Sequence, residues 1–190
     1  GVEVLEKHVP LWESKRHKFS PGLRTLVRAF RAEARLAFAS TPDADVLVVG
    51  YPGHLDMLVA KRIAKGRPVV FNPLVSLEDT MVGDRGLVSR RSPVARALRL
   101  VDRTAFRRAD LVVADTAAHA RYFGERFDLP TVRLAVCFVG AEDRLFQSGR
   151  RNESGFHVLF VGKLIPLHGL ETILAAAALC PELEFRVVGS

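Results

Sequence analysis

The chain has 190 residues, of which 48% are hydrophobic and 26% charged, and a formal net charge of +7. That balance belongs to a soluble globular chain long enough to bury a core, and it excludes global disorder. With 2 cysteines, 14 glycines and 10 prolines, disulfide-scaffold and collagen-like classes are excluded too.

The chain opens without a methionine on Val2–Leu5, an alternating stretch that reads as a strand. A helix is predicted over Gly22–Ala39, where Leu23, Val27 and Phe30 line one face and Arg24, Arg28, Arg31 and Arg35 another. Strand Asp45–Val49, helix Asp56–Lys65 and strand Pro68–Phe71 follow. Ser92-Pro93 then marks a helix start, because proline suits the first helical turn, and the helix runs over Pro93–Arg108. Strand Leu111–Ala114 leads to helix Thr116–Phe127, with Thr116 as its N-cap. Strand Val132–Phe138 comes next. Several of these strands are continuous apolar runs, such as Val46-Leu47-Val48-Val49, the pattern of strands covered on both faces.

Gln147–Gly155 is polar and glycine-rich, and reads as an interdomain linker. Beyond it come strand His157–Val161, helix Gly169–Leu179 and strand Glu184–Val188. The alternation specifies an α/β fold with a mostly parallel, Rossmann-like sheet. The expected division is an N-terminal lobe over residues 1–147 that lacks its first strand, a linker over 148–155, and the first βαβ of a second lobe over 156–190. A βαβ that short cannot bury a core alone. Both ends therefore read as cuts through a larger architecture. The longest apolar run, Ile173–Cys180, falls well below the roughly 18 residues a membrane span needs.

The charge is uneven. Residues 1–110 carry 20 Lys and Arg against 12 Asp and Glu, whereas residues 111–190 carry 8 against 9. Arg96, Arg99, Arg103 and Arg107 stack along one face of the helix over Pro93–Arg108. Such a stripe suits a solvated face or an anionic membrane surface. No aromatic-interleaved basic strand or reader motif accompanies it, so nucleic acid is not the expected partner.

The most informative local pattern is Phe160-Val161-Gly162-Lys163 through His168-Gly169-Leu170-Glu171. An apolar strand ends in glycine, a cation follows, and a helix begins about six residues on. Gly162 admits close backbone approach, the helix start at Gly169 offers unpaired N–H groups, and Lys163 and His168 add cationic donors. Together they outline a site for a phosphate or diphosphate. The GxGxxG and GxxxxGK[ST] signatures are absent, as is a GxSxG nucleophile elbow. The six histidines (His8, His17, His54, His119, His157, His168) show neither HExxH nor His–Cys spacing, so no metal is expected. Cys137 and Cys180 read as inert packing residues in a reducing compartment.

Polar residues also gather just after strands, where parallel α/β sheets bind ligands. Tyr51, His54 and Asp56 follow one strand, Asn72 to Asp79 a second, and Asp115-Thr116 a third. Tyr51, His54, Asp79 and Asp115 are the expected acceptor-side crevice.

These segments, as an ordered set, resemble a retaining family-4 glycosyltransferase of the two-lobed GT-B type over roughly Asp45 to Ser190. Ala109–Thr116 is similar to the family's "ADxVxAxS/T" strand and cap. Val139–Phe146 is similar to the "NGVDxxxF" crossing between lobes, which assigns Gly140 and Glu142 to the interlobe segment. Gly162–Gly169 is similar to "GR/KxxxxKG", and Tyr51–His54 and Pro73–Thr80 are similar to the "YPGH" and "PLxSLxDT" segments of a subgroup. Val139 replaces the usual Asn, Glu142 the usual Asp, His168 the usual diphosphate lysine, and Leu74 falls where many members carry an acceptor-side histidine.

The resemblance implies sugar transfer from a nucleotide-diphosphate donor to a sugar or lipid-linked acceptor, with retention and without a metal or other cofactor. It also implies that the family's acidic sugar-binding motif lies beyond Ser190, so that this stretch is inactive alone. Catalytic residues stay unassigned. A cytoplasmic protein, peripheral on the inner membrane face through Arg96, Arg99, Arg103 and Arg107, is the expected setting. The competing readings are a non-catalytic nucleotide-binding module on the same fold and a basic membrane-surface module.

Overall fold

The computed structural model describes residues 1–7, 23–38, 43–147 and 156–189. They form two compact units: Gly1–Leu77 with Arg96–Val139, and Glu78–Ala95 with Gly140–Ser190. The linker expected over residues 148–155 lies outside the described residues.

The first unit is built on a four-stranded sheet in the order β1 (Leu47–Val49), β2 (Val69–Phe71), β3 (Leu111–Ala114), β4 (Leu134–Val136), with every pair parallel. Its helices are α1 (Leu23–Phe38), α2 (Met57–Ala64), α3 (Pro93–Arg108, which starts in the second unit) and α4 (Ala117–Phe127). Strands paired in chain order and joined by right-handed crossovers carry their connecting helices on one face. The core has that composition. Val49, Val69, Phe71, Val112 and Ala114 of the sheet pack with Met57, Ala60 and Ala64 of α2, Ala105 and Phe106 of α3, and Phe123 and Phe127 of α4. Pairing of Val49 with Phe71, Phe71 with Val112 and Val112 with Leu134 lines up one inward row across all four strands.

The expectation of strands covered on both faces is corrected here. Val48, between two inward-facing neighbours in register, is 64% exposed, and Val70 and Val113 are only half-buried. One sheet face carries the core; the other carries much less. The strand expected over Val2–Leu5 is also absent: residues 1–7 are irregular and exposed. Alternation without a partner strand does not hold a ladder.

Local signals account for most boundaries. Pro93 opens α3, and the Ser92 hydroxyl accepts from the Ala95 N–H at 3.1 Å. Thr116 caps α4 by accepting from the His119 N–H at 3.1 Å. Asp110 ties helix to sheet, accepting from Lys61 Nζ at 2.6 Å and from the Val69 N–H at 2.7 Å. These bonds, the lysine's first, hold its carboxyl below the usual range.

In the second unit, β5 (His157–Val161) and β6 (Glu184–Val188) pair in parallel over five residues each, joined through α5 (Leu170–Leu179). Among described residues 156–189 none is buried. The same unit holds a π-helical turn, Asp79–Asp84. There the Asp79 carboxylate lies over Gly83, where a β-carbon would come within 2.9 Å of it.

Candidate functional site

Parallel strands deliver their C-terminal turns to one edge of a sheet. In the first unit β1 leads into Gly50–Asp56, β2 into Asn72–Leu77, β3 into Asp115-Thr116 and β4 into Cys137–Val139. Backbone bonds extend the pairing into two of these turns, Asn72 N–H to Val49 O at 2.8 Å and Cys137 N–H to Ala114 O at 2.9 Å. Tyr51 and Asp115 therefore lie on this edge, Tyr51 exposed and Asp115 half-buried. Cys137, expected in a packed strand, lies past the end of β4 and is exposed; Cys180 is half-buried.

His54 belongs to the same turn but not to its surface. It is fully buried, with its ring edge-on to Phe71 at 5.2 Å and tilted against Phe106 at 6.1 Å. Its Nε2–H donates to Val75 O at 2.9 Å, and Asp102 Oδ1 stands 3.7 Å from the same nitrogen. Burial pushes the His54 pKa down, against the pull of Asp102. The ring is therefore neutral and uses its proton to fasten the turn after β2. Asp102, also fully buried, fastens the next residues by accepting from Ser76 Oγ at 2.8 Å and the Leu77 N–H at 3.0 Å. A buried carboxylate persists only when its lone pairs are used. His54 and Asp102 thus shape the edge from below, whereas the sequence placed His54 in the crevice itself.

Two carboxyl arrangements were not anticipated. Glu33 of α1 shares a hydrogen bond with Asp56, at the start of α2, and its Oε2 is buried without a partner among the described residues. Burial, then the bond and charge of Asp56, pushes the Glu33 pKa up to about 8. Its chain spacing from Asp56 carries no local signal. At the end of β3, His119 Nδ1–H donates to Asp115 Oδ1 at 2.5 Å. The i,i+4 spacing on a capped helix start could have revealed this pair.

In the second unit the turn from β5 into α5 takes the outlined form. Gly162 follows β5, a 3₁₀ turn spans Pro166–His168, and Gly169 precedes α5 with φ +63° and ψ +32°. That left-handed conformation favours glycine. No side chain caps α5, so its first N–H groups are open to an anion. The His168 ring folds back, with Nδ1–H donating to Lys163 O at 2.7 Å. A β-carbon on Gly162 would stand 3.1 Å from His168 Nδ1 and 3.1 Å from Phe160 Cζ, so this glycine makes room for the imidazole. Both His168 and Lys163 are exposed. Gly140 and Glu142 are exposed in this unit, with Glu142 Oε1 accepting from Arg144 at 3.1 Å. Asp79 lies in this unit too, not with Tyr51 and Asp115.

The arginine stripe is on α3 as expected, but Arg107 does not stand open. It pairs with Asp128 at 2.7 Å and donates to Phe127 O at 3.2 Å, clamping the end of α4. Arg96, Arg99 and Arg103 are exposed, with Leu100 beside them 66% exposed. Among the described residues no helix is long and apolar enough to cross a membrane.

No curated protein matches the chain. Residues 1–140 match the family model described as "Glycosyl transferase 4-like domain", and the chain belongs to that family.

Proposed function

We propose that the protein takes part in transferring a sugar, with retention, from a nucleotide-diphosphate donor to a sugar or lipid-linked acceptor in a GT-B-type enzyme. Family membership supports glycosyl transfer, and the β5–α5 turn is the observation that carries the donor assignment. Gly162, Lys163, His168 and Gly169 gather a lysine, a histidine and an uncapped helix start within one turn. When the anomeric carbon–oxygen bond breaks, charge grows on the departing diphosphate, where preorganised donors stabilise it most. The bond from His168 Nδ1–H to Lys163 O holds the ring at the turn.

Tyr51 and Asp115, on the strand-end edge, are the groups assigned to the acceptor, with Asp79 as a further acceptor-side residue and Gly140 and Glu142 as interlobe residues. The reading requires no metal or other cofactor. A cytoplasmic setting on the inner membrane face rests on the exposed Arg96, Arg99 and Arg103 with Leu100 among them, at about 1 kcal/mol per basic residue near an anionic surface.

Release of nucleoside diphosphate from UDP-glucose, UDP-N-acetylglucosamine and GDP-mannose, by the protein made from its complete reading frame, tests the reading. A total lipid extract serves as acceptor. Release from at least one donor is expected, and its absence with all of them contradicts transfer.

A further inference from the structure

The arginine stripe of α3 has a position that its charge alone does not reveal. Helix α3 joins the parallel strands β2 and β3, so its first half lies on the strand-end side of the sheet. Asp102 marks the level of the strand ends, because it is bonded to Ser76 and Leu77 in the turn after β2. One helical turn later Phe106 meets Phe71, the last residue of β2, at 5.3 Å. Arg103 follows Asp102 directly, whereas Arg96, Arg99 and Leu100 precede it. At about 1.5 Å per residue, Arg96 reaches about 9 Å past the strand ends. The three arginines are exposed and Leu100 is 66% exposed. The turns after β1 and β4 end on the same side of the first unit, where Tyr51 is 52% and Phe138 74% exposed. Little negative charge opposes the stripe. The one acid of α3 is Asp102, which is buried, while Asp115 is paired with His119 and Asp56 is bonded to Glu33. Arginines interleaved with exposed apolar side chains complement an anionic lipid surface, guanidinium groups meeting headgroup phosphates and apolar groups entering the acyl boundary.

We propose that this end of the first unit rests on an anionic lipid bilayer, so that the strand-end edge faces the membrane and takes an acceptor carried by a lipid. The docking stands apart from the transferase reading above. The choice of a lipid-borne over a water-soluble acceptor rests on that reading.

The test follows co-sedimentation of the full-length protein with vesicles of phosphatidylcholine, with and without phosphatidylglycerol. Wild type should bind the anionic vesicles and not the neutral ones, and should leave them in about 1 M salt, where charges act only within about 3 Å. Arg96→Gln with Arg103→Gln should bind about 30-fold more weakly, the effect of two basic residues near an anionic surface. Leu100→Ala should bind about fivefold more weakly. Arg62 and Lys65 are exposed at the end of α2, on the opposite, strand-start side. Arg62→Gln with Lys65→Gln removes the same charge there and should leave binding unchanged. Thermal melts check that each variant is folded. Wild type that ignores anionic vesicles, or binds neutral ones equally, overturns the docking, as does an α2 variant weakened as much as the α3 variant. With the three donors and lipid extract above, labelled sugar should be recovered in lipid-soluble product. Recovery in water-soluble product alone overturns the acceptor assignment and leaves transfer intact. Wild type inactive with every donor removes transfer and the acceptor assignment together, while the docking is still decided by the vesicles.

Discussion

Strands β3 and β5 are both mainly apolar and both lie in parallel pairs, yet their surroundings differ. Around β3, helices from three successive crossovers share one sheet face, and Phe71, Phe106, Phe123 and Val112 lose all or nearly all contact with water. Among the described residues, β5 has one strand partner and one connecting helix. Leu159 is 58% and Val161 70% exposed, and α5 is half-buried only along Leu170, Ile173 and Ala177. Backbone pairing is as regular in β5–β6 as in the larger sheet. Strand pairing therefore supplies order without burial, and burial is the main source of stability. In this molecule the Gly162–Gly169 turn belongs to the region with few buried contacts, and the strand-end edge with His119 belongs to the region with many.

The sharpest way to break that contrast is Phe106→Ala. Its ring stacks on Phe127 at 4.1 Å and meets Phe71 at 5.3 Å and Phe123 at 4.7 Å. Truncation should cost about 3–5 kcal/mol in denaturant melts, and a loss under about 1 kcal/mol would mean the core is not closed there. Next comes Asp102→Asn, which weakens the bonds to Ser76 Oγ and the Leu77 N–H. A loss of about 2 kcal/mol is expected, together with faster amide exchange at Leu77.

Acid and base should act on the same unit with opposite signs. His54 has a pKa depressed below its reference of 6.5, so below that pH the unfolded chain binds a proton the folded chain resists, and stability falls as pH drops. Glu33 has a pKa raised from 4.5 to about 8, so its contribution is present at low pH and is lost as pH rises through that window. Glu33→Gln should remove the alkaline loss, gaining about 1 kcal/mol at pH 8 once water screening of the half-exposed pair is allowed for. Only the acid limb from His54 should remain. Chemical melts from about pH 5 to about pH 9 would show it; an unchanged alkaline limb in the variant would contradict the pairing with Asp56. The smallest effect belongs to Leu159→Ala in β5, within about 0.5 kcal/mol, because its side chain has little burial to lose.

The same contrast separates what could be read from the sequence. Helix α3 was legible to both ends, because Ser92 and Pro93 mark its start and one apolar and one arginine face repeat along it. Strands β3, β5 and β6 were legible to the residue, since a polar residue precedes or opens each run and Asp or Gly follows it. Local pattern did not show that the β1–β4 sheet is covered on one face, because an apolar run reads alike whether one or two layers pack on it. Nor could it place His54, whose burial is decided by Phe71, Phe106 and Asp102, all distant in the chain. Of the candidate site, the Gly162–Gly169 turn was visible because strand, glycine, cation and helix start are neighbours in sequence. The fold of His168 onto Lys163 O needed backbone geometry, whereas the i,i+4 spacing of Asp115 and His119 was open to reading.

The account depends most on the β5–α5 turn as a diphosphate cradle. Titrating UDP and GDP into wild type, Lys163→Ala and His168→Ala addresses it directly. The account predicts at least one nucleotide bound, about tenfold or more weaker in each variant (a loss of about 1.4 kcal/mol). Equal affinity in all three proteins would contradict it.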